Sequence, residues 1–333
     1  MHIPLFMKVS VGIVMGGYSS EVNISIKSGN VVFKHLNRET YRPYRIHILK
    51  EKWVVLDADD QEYPIQKEDF SVTIRGEKIN FDCVFNAIHG APGEDGSFIA
   101  YLETLGIKHT SAPFYQMALT FNKRDTLSVL KQYGIKTAKS VFLNAGDDFD
   151  ESHILDTVGL PCFVKPNKAG SSFGISKVYE AMALRAAIEK AFDEDSEILI
   201  ESFLDGTEVS VGVIEYKNQI KVLPITEIVS ENDFFDYEAK YQGKSQEITP
   251  ARLIPNHQIK VEEEAMKIYK FLQMSGFSRS EFILVNGEPH FLEMNTVPGL
   301  TEESILPQQA SEAGLSLENL FDNAVQSALN STS

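Results

Sequence analysis

The residue types most able to do chemistry lie near the end of the chain, in Arg279-Ser280-Glu281 and Glu293-Met294-Asn295. Two carboxylates and an amide oxygen suit a hard divalent cation that bridges phosphates. Strand alternation puts Glu293 and Asn295 on one face. Between the two stretches stands Asn286-Gly287, a strong signal for a two-residue hairpin turn, which can bring Glu281 opposite residues 293–295. Alone, Glu281 reads as a solvated residue on a strand edge. Together the stretches read as a metal and phosphate edge.

A second stretch is Lys165-Pro166-Asn167-Lys168-Ala169-Gly170-Ser171-Ser172-Phe173-Gly174. A lysine ends an apolar strand, a turn of small residues follows, and another strand begins. Such a turn lets backbone N–H groups approach a phosphate, and the lysine adds charge. It is not a Walker loop, because it leads into a strand and has no Gly-Lys-Ser/Thr. By itself it is more readily an ordinary hairpin. A third stretch, Glu201-Ser202-Phe203-Leu204-Asp205-Gly206-Thr207-Glu208, follows an apolar strand and could offer backbone groups to adenine and a carboxylate to ribose. In isolation a plain strand and turn is the simpler reading of it.

These stretches need elements that hold them together. Residues 8–15 have a strand pattern ending in Gly16-Gly17, and residues 21–36 a helix pattern with Ser19 or Ser20 as N-cap. Strand patterns at 44–49, 53–57 and 81–88, with a helix at 96–105, predict an open parallel α/β sheet. Ligands bind at the carboxyl ends of such strands, where Gly16-Gly17 and His89-Gly90 fall. Ser111-Ala112-Pro113 opens a second unit, with helices to about residue 133 and short antiparallel strand patterns at 139–143, 161–165 and 173–178. The third has a hairpin over 209–216 and 219–229 and helices at 257–274 and 317–329. The expected fold is α/β, mixed α+β in its later parts, divided as 1–112, 113–200 and 201–333. The polar, aperiodic stretch 230–250 is long for a loop in a compact domain and is expected to be a functional lid.

Composition limits the classes of function. The chain has 333 residues, 43% hydrophobic and 23% charged, with a net charge of −16. Nucleic acid would be repelled over most of that surface. No apolar run reaches the roughly 18–20 residues that span a bilayer. The N-terminus lacks the basic region and cleavage site of a signal peptide, and Met7 is a candidate alternative start. Cys83 and Cys162 sit in apolar runs and read as reduced core residues of a cytoplasmic protein. An anionic substrate requires lysines and arginines to converge locally.

In this order and spacing the three stretches resemble the ATP-grasp superfamily. With the N-terminal ones added, the chain resembles the D-alanine–D-alanine ligase family within it. The resemblance is carried by Gly16-Gly17-Tyr18-Ser19-Ser20-Glu21, His89-Gly90-Ala91-Pro92-Gly93-Glu94-Asp95-Gly96, Asn122-Lys123, residues 165–174 and 201–208, Tyr237-Glu238-Ala239-Lys240-Tyr241, Arg279 with Glu281, and residues 293–301. It spans residues 8–325.

The resemblance implies an N-terminal substrate-binding domain, with central and C-terminal domains that clamp ATP. It implies an enzyme that joins two D-alanines to D-alanyl-D-alanine through an acyl phosphate, for peptidoglycan precursors. ATP would be co-substrate and two Mg²⁺ (or Mn²⁺) the metals. The protein would be a cytoplasmic homodimer, binding neither nucleic acid nor membrane. Lys123, Lys165 and Lys240 would hold phosphates, with Gly170, Ser171, Ser172 and Gly174 in the glycine-rich loop. Glu201, Leu204 and Glu208 would hold adenine and ribose, and Glu281, Glu293 and Asn295 the metals. Glu21 would meet the ammonium of the first D-alanine, with His89 close by, while Ser304 and the Ile305 backbone would receive the second carboxylate. Arg279 and the Gly299 N–H would hold the oxyanion. Glu21, Ser171 and Tyr241 would form a relay to the lid, Tyr241 going with D-alanine as second substrate. One position departs from the common pattern: the first metal ligand is often Asp, and Glu281 carries its carboxylate about 1.5 Å further, one carbon–carbon bond. The alternatives are a D-alanine–D-lactate ligase, another ATP-grasp carboxylate–amine ligase, or an inactive ATP-binding regulator, which usually lacks a phosphate lysine or a metal ligand.

Overall fold

A computed structural model describes residues 8–168, 174–230 and 245–331. Among them, three sheets organise the chain. The first is built from β1 (Val9–Gly16), β2 (Tyr41–Ile48), β3 (Trp53–Leu56), β4 (Glu62–Gln66), β5 (Ser71–Ile74), β6 (Glu77–Ile79), β7 (Cys83–Asn86) and β8 (Lys108–His109), with helices α1 (Val22–His35) and α2 (Ser97–Thr104). Its order is β6-β5-β4-β3-β2-β1-β7-β8. The parallel strands form one half of the sheet, out to the β8 edge: β1 pairs in parallel with β2 and β7, and β7 with β8; β3, expected among them, runs antiparallel to β2 because a short turn joins the two. From β2 outward the sheet continues as antiparallel strands. Residues 62–79 hold three of these, and their mixed polar sequence with Pro64 shows no clear alternation to announce them. Val11, Ile13, Val14 and Met15 of β1 are fully buried, as a strand covered on both faces requires.

The second sheet follows helices α3 (Phe114–Phe121) and α4 (Lys123–Gln132). It contains β9 (Ser140–Asn144), β10 (Cys162–Pro166), β11 (Ser176–Val178) and β12 (Glu197–Ser202), all paired antiparallel in the order β11-β10-β12-β9. Helices α5 (Glu151–Val158) and α6 (Leu184–Phe192) supply Ile154, Leu184 and Ile188 to its core.

The third sheet holds β13 (Thr207–Tyr216), β14 (Gln219–Val222), β15 (Thr226–Ser230), β16 (Ser245–Ile248), β17 (Phe277–Val285) and β18 (Glu288–Asn295). Helix α7 (Pro255–Phe271) packs on it through Val261, Ala265 and Ile268. Helices α8 (Ile305–Glu312) and α9 (Leu317–Asn330) follow. Leu320, Phe321 and Val325 of α9 pack back with Val11, Ile13 and Met15 of β1, each such burial contributing about 1.5–3 kcal/mol. The last helix thus ties the third sheet's end of the chain to the first sheet.

The β17–β18 hairpin pairs regularly from Val285↔Glu288 to Phe282↔Phe291, and then shifts register so that Glu281 faces Glu293. Leu292 is the extra residue, a β-bulge. Cys83 and Cys162 are free and buried, as expected. No described helix is long and apolar enough to cross a membrane.

Candidate active site

Directly opposite residues of an antiparallel pair point to the same side. Arg279 faces Asn295 and Glu281 faces Glu293 across β17 and β18, and all four line one cavity of about 830 Å³. The intervening Ser280 and Met294 are buried, Met294 within the apolar core. Arg279 Nη1 donates to Ser210 Oγ at 3.0 Å and to the Glu281 carboxylate. Burial works against the guanidinium charge, but Glu281, then Glu293 and Glu247, outweigh it and hold its pKa above the ordinary value.

The lysines come from the second layer. Asn122 turns extended (ψ 98°) after α3, and its Oδ1 accepts the Asp125 N–H at 3.0 Å, which caps α4 and leaves Lys123 in the first turn. Lys123 Nζ lies 3.5 Å from Glu293. Lys165 Nζ, on β10, lies 2.9 Å from Glu201 on the neighbouring β12. Burial opposes the ammonium charge, and Glu201, Glu293 and Glu208 more than offset it, raising the lysine's pKa. Fully buried Asn167 joins the two lysine-bearing elements. Its Nδ2 donates to Asn122 Oδ1 and to Glu197, and its Oδ1 accepts the Arg124 N–H, each at 2.9 Å.

The N-terminal loops close the other wall. Gly17 has φ +103°, and a Cβ there would lie 2.8 Å from Ile88 Cγ2 and 3.1 Å from the Ala91 carbonyl. A larger residue would therefore be strained and crowded. The Tyr18 N–H donates to the Ala91 carbonyl at 2.7 Å, and the Ser19 hydroxyl to the His89 carbonyl at 3.2 Å. The N-cap of α1 is Glu21, so neither Ser19 nor Ser20 caps it as expected. Ser19 Oγ is engaged by His89 and accepts the Glu21 N–H instead. Glu94 accepts the Gly90 N–H at 3.0 Å; burial first, and then Glu21, push its carboxyl up to about 7. His89 is buried and held below the ordinary imidazole range by that burial, with Glu21 pulling the other way.

Of the residues singled out from sequence, Glu21, His89, Lys123, Lys165, Glu201, Leu204, Glu208, Arg279, Glu281, Glu293, Asn295, Gly299, Ser304 and Ile305 line this cavity. Gly174 does not; its left-handed backbone (φ +71°) packs on Pro166 and Glu194. Gly170, Ser171, Ser172, Lys240 and Tyr241 lie outside the described residues, with most of the 230–250 stretch expected to be a lid. Sequence reasoning passed over Glu94, Lys27 and Glu247, which also line the cavity, and Ser210, which supports Arg279. Glu94 stood inside the His-Gly stretch, whereas Ser210 sits in an apolar strand that gives no chemical signal.

The donor set fits a divalent cation. Nine glutamates line the cavity against Lys27, Lys123, Lys165 and Arg279, so an anionic nucleotide entering it needs further positive charge. Glu281 and Glu293 face one another directly, a like-charge pairing that is unfavourable without a cation nearby. Among the described residues no three His, Cys, Asp or Glu cluster together. Two carboxylates and the Asn295 amide, completed by phosphate oxygens, are the coordination that Mg²⁺ favours.

A family model described as D-ala D-ala ligase N-terminus matches residues 10–112, and one described as D-ala D-ala ligase C-terminus matches residues 129–326. A D-alanine–D-alanine ligase of Flavobacterium johnsoniae is 65% identical, covering 96% of this chain and 99% of its own. Among solved structures, a D-Ala:D-Ser ligase from Enterococcus faecalis matches with a TM-score of 0.84 at 30% identity, over 96% of this chain and 99% of that one. A D-alanine–D-alanine ligase from Bacillus anthracis complexed with ATP matches with a TM-score of 0.77 at 27% identity, over 96% and 97%.

Proposed function

This chain belongs to the D-alanine–D-alanine ligase family, and from that premise we propose that it joins two D-alanines into D-alanyl-D-alanine, with ATP as co-substrate, for cell-wall precursors. The observation that carries the reading is convergence: Glu21 and His89, the two lysines, and the Arg279 to Asn295 edge all reach one cavity.

The γ-phosphoryl group of ATP passes to a carboxylate oxygen of the first D-alanine, giving ADP and an acyl phosphate. Such a transfer depends on positioning and on neutralising spread negative charge. Lys123 and Lys165 hold phosphate oxygens, while Glu201, Leu204 and Glu208 hold the adenosine. Two Mg²⁺ (or Mn²⁺) held by Glu281, Glu293 and Asn295 would supply further positive charge at the phosphates. Glu21 receives the ammonium of the first D-alanine. The amine of the second, having lost a proton, attacks the carbonyl carbon. Arg279 and the Gly299 N–H stabilise the oxyanion, the bond to the phosphate oxygen breaks, and inorganic phosphate leaves. Ser304, the N-cap of α8, and the Ile305 backbone receive the second carboxylate. Gly299 keeps this backbone bare, since a Cβ there would come within 2.7 Å of Ser304 Oγ.

An acyl phosphate must be shielded from water. Residues 170–174 and 230–250 are the closing elements in this reading, with Lys240 reaching the phosphates and the Glu21, Ser171 and Tyr241 relay tying closure to substrate. The division into 1–112, 113–200 and 201–333, a homodimer and a cytoplasmic location belong to the same proposal.

Phosphate release from ATP and Mg²⁺ tests it, with D-alanine, L-alanine, and D-alanine plus D-lactate or D-serine, and products identified by mass spectrometry. Dipeptide equal to phosphate, from the D-isomer alone, is expected. A mixed product formed in place of D-alanyl-D-alanine would move the chain to another ligase specificity.

A further inference from the structure

We infer that Ser28 and His89 are positioning residues that hold the backbone next to Gly299, with His89 kept as the neutral Nδ1–H tautomer. Ser28 lies in α1 seven residues after Glu21, two turns along the same helix face, and is fully buried. Its Oγ accepts the Leu300 N–H at 3.2 Å and stands 3.2 Å from His89 Nε2. A serine hydroxyl has one proton to give. With Leu300 donating to the oxygen, that proton points to His89, so Nε2 must be bare. A neutral imidazole carries one ring proton, and with Nε2 bare it sits on Nδ1. The opposite assignment would leave the serine proton without an acceptor among the described residues.

The result is a chain of bonds from the Leu300 N–H through Ser28 to His89. Ser28 and His89 belong to the first sheet's part of the fold, and Leu300 to the segment after β18. Gly299 directly precedes the anchored Leu300, so the course of this backbone is set from the opposite wall of the cavity. Nε2 of His89 is committed to Ser28, so His89 orients the serine rather than carrying protons. The kinetic part of this inference rests on the ligase reading; the tautomer does not.

Nitrogen-15 NMR of histidine-labelled, ligand-free protein reads the tautomer without turnover, the His89 signals being assigned by their loss in His89→Asn. The expected wild-type spectrum at pH 7 shows a protonated Nδ1 and a bare Nε2, and Ser28→Ala moves His89 to a mixture of tautomers. The same variant is expected to lower kcat roughly 10- to 100-fold, through a misaimed backbone donor, with KM for ATP unchanged. Ser28→Cys, which keeps the side-chain volume but is a weak donor, is expected to change both readouts in the same direction and serves if the alanine variant does not fold. An Nε2–H or doubly protonated ring in the wild type overturns the inference. So does an unchanged His89 spectrum, or an unchanged kcat, in the Ser28 variants. A wild-type protein with the expected spectrum but no turnover on D-alanine would instead count against the ligase reading.

Discussion

Glu281 faces Glu293 squarely across β17 and β18, both carboxylates turned into the cavity. The pairing is unfavourable in the bare protein, offset in part by Arg279 and Lys123, and in the proposed function a bound Mg²⁺ would relieve it. Mg²⁺ with ATP at a hundred times Kd is expected to stabilise the wild type by about 2.7 kcal/mol. Glu293→Gln should lose most of that gain and at least about 100-fold in turnover, yet unfold no earlier than wild type in chelator. Calorimetry in EDTA and in Mg²⁺ with ATP checks both statements.

Glu94 gives the ligand-free protein a pH dependence of known sign. Its carboxyl is raised from 4.5 to about 7, so between those values the folded state holds a proton that the unfolded state has lost. Stability therefore falls as pH rises through this window, with the full cost present above about pH 7. A shift of this size corresponds to at most about 3 kcal/mol. Glu94→Gln, which can still accept the Gly90 N–H, is expected to stabilise the protein at pH 8 and to change it little at pH 5. Urea unfolding at the two pH values measures the difference.

Lys165 and Glu201 form a pair with side chains only 17% and 5% exposed. Removing one partner leaves the other's charge unpaired, which costs about 3–5 kcal/mol. Lys165→Met is expected to lose that much in urea, and adding Glu201→Gln to recover a large part of it. Nucleotide binding should stay impaired in both variants, so that regained stability does not restore the site.

Asn167 shows how Lys123 and Lys165 are kept in place. Its side chain makes three hydrogen bonds, to Asn122, Glu197 and the Arg124 N–H. At about 1 kcal/mol each, Asn167→Ala should cost roughly 2–3 kcal/mol. Because Lys123 follows the Asn122 cap, KM for ATP is expected to rise severalfold in steady-state assays, with kcat less affected.

The hairpin was legible because Asn286-Gly287 fixed a turn, and alternation put Glu293 and Asn295 on one face; the bulge that sets Glu281 against Glu293 was not. The parallel half of the first sheet was legible as apolar runs between helical patterns. Glu94 and Ser28 were not, because their roles arise where loops far apart in sequence meet: Glu94 beside Glu21, Ser28 beside Leu300. Strands β4 to β6 escaped for a different reason. They are three to five residues long, lie toward a sheet edge, and bury only a few residues, Ile65 and Val72 among them, too few to impose a repeating pattern.

The bulge at Leu292 makes the reactive edge a question of parity. Counted from the Asn286-Gly287 turn without it, Glu281 would meet Leu292 and Glu293 would meet Ser280. Glu293 and Asn295 would then turn into the apolar layer where Met294 packs, and Met294 would take their place in the cavity. Point substitutions around the bulge preserve the count, and deleting Leu292 would remove the bulge while still setting Glu281 against Glu293. One residue added between Phe291 and Glu293, which barely alters composition, would instead shift the pairing by one and exchange the chemical and structural faces of the strand.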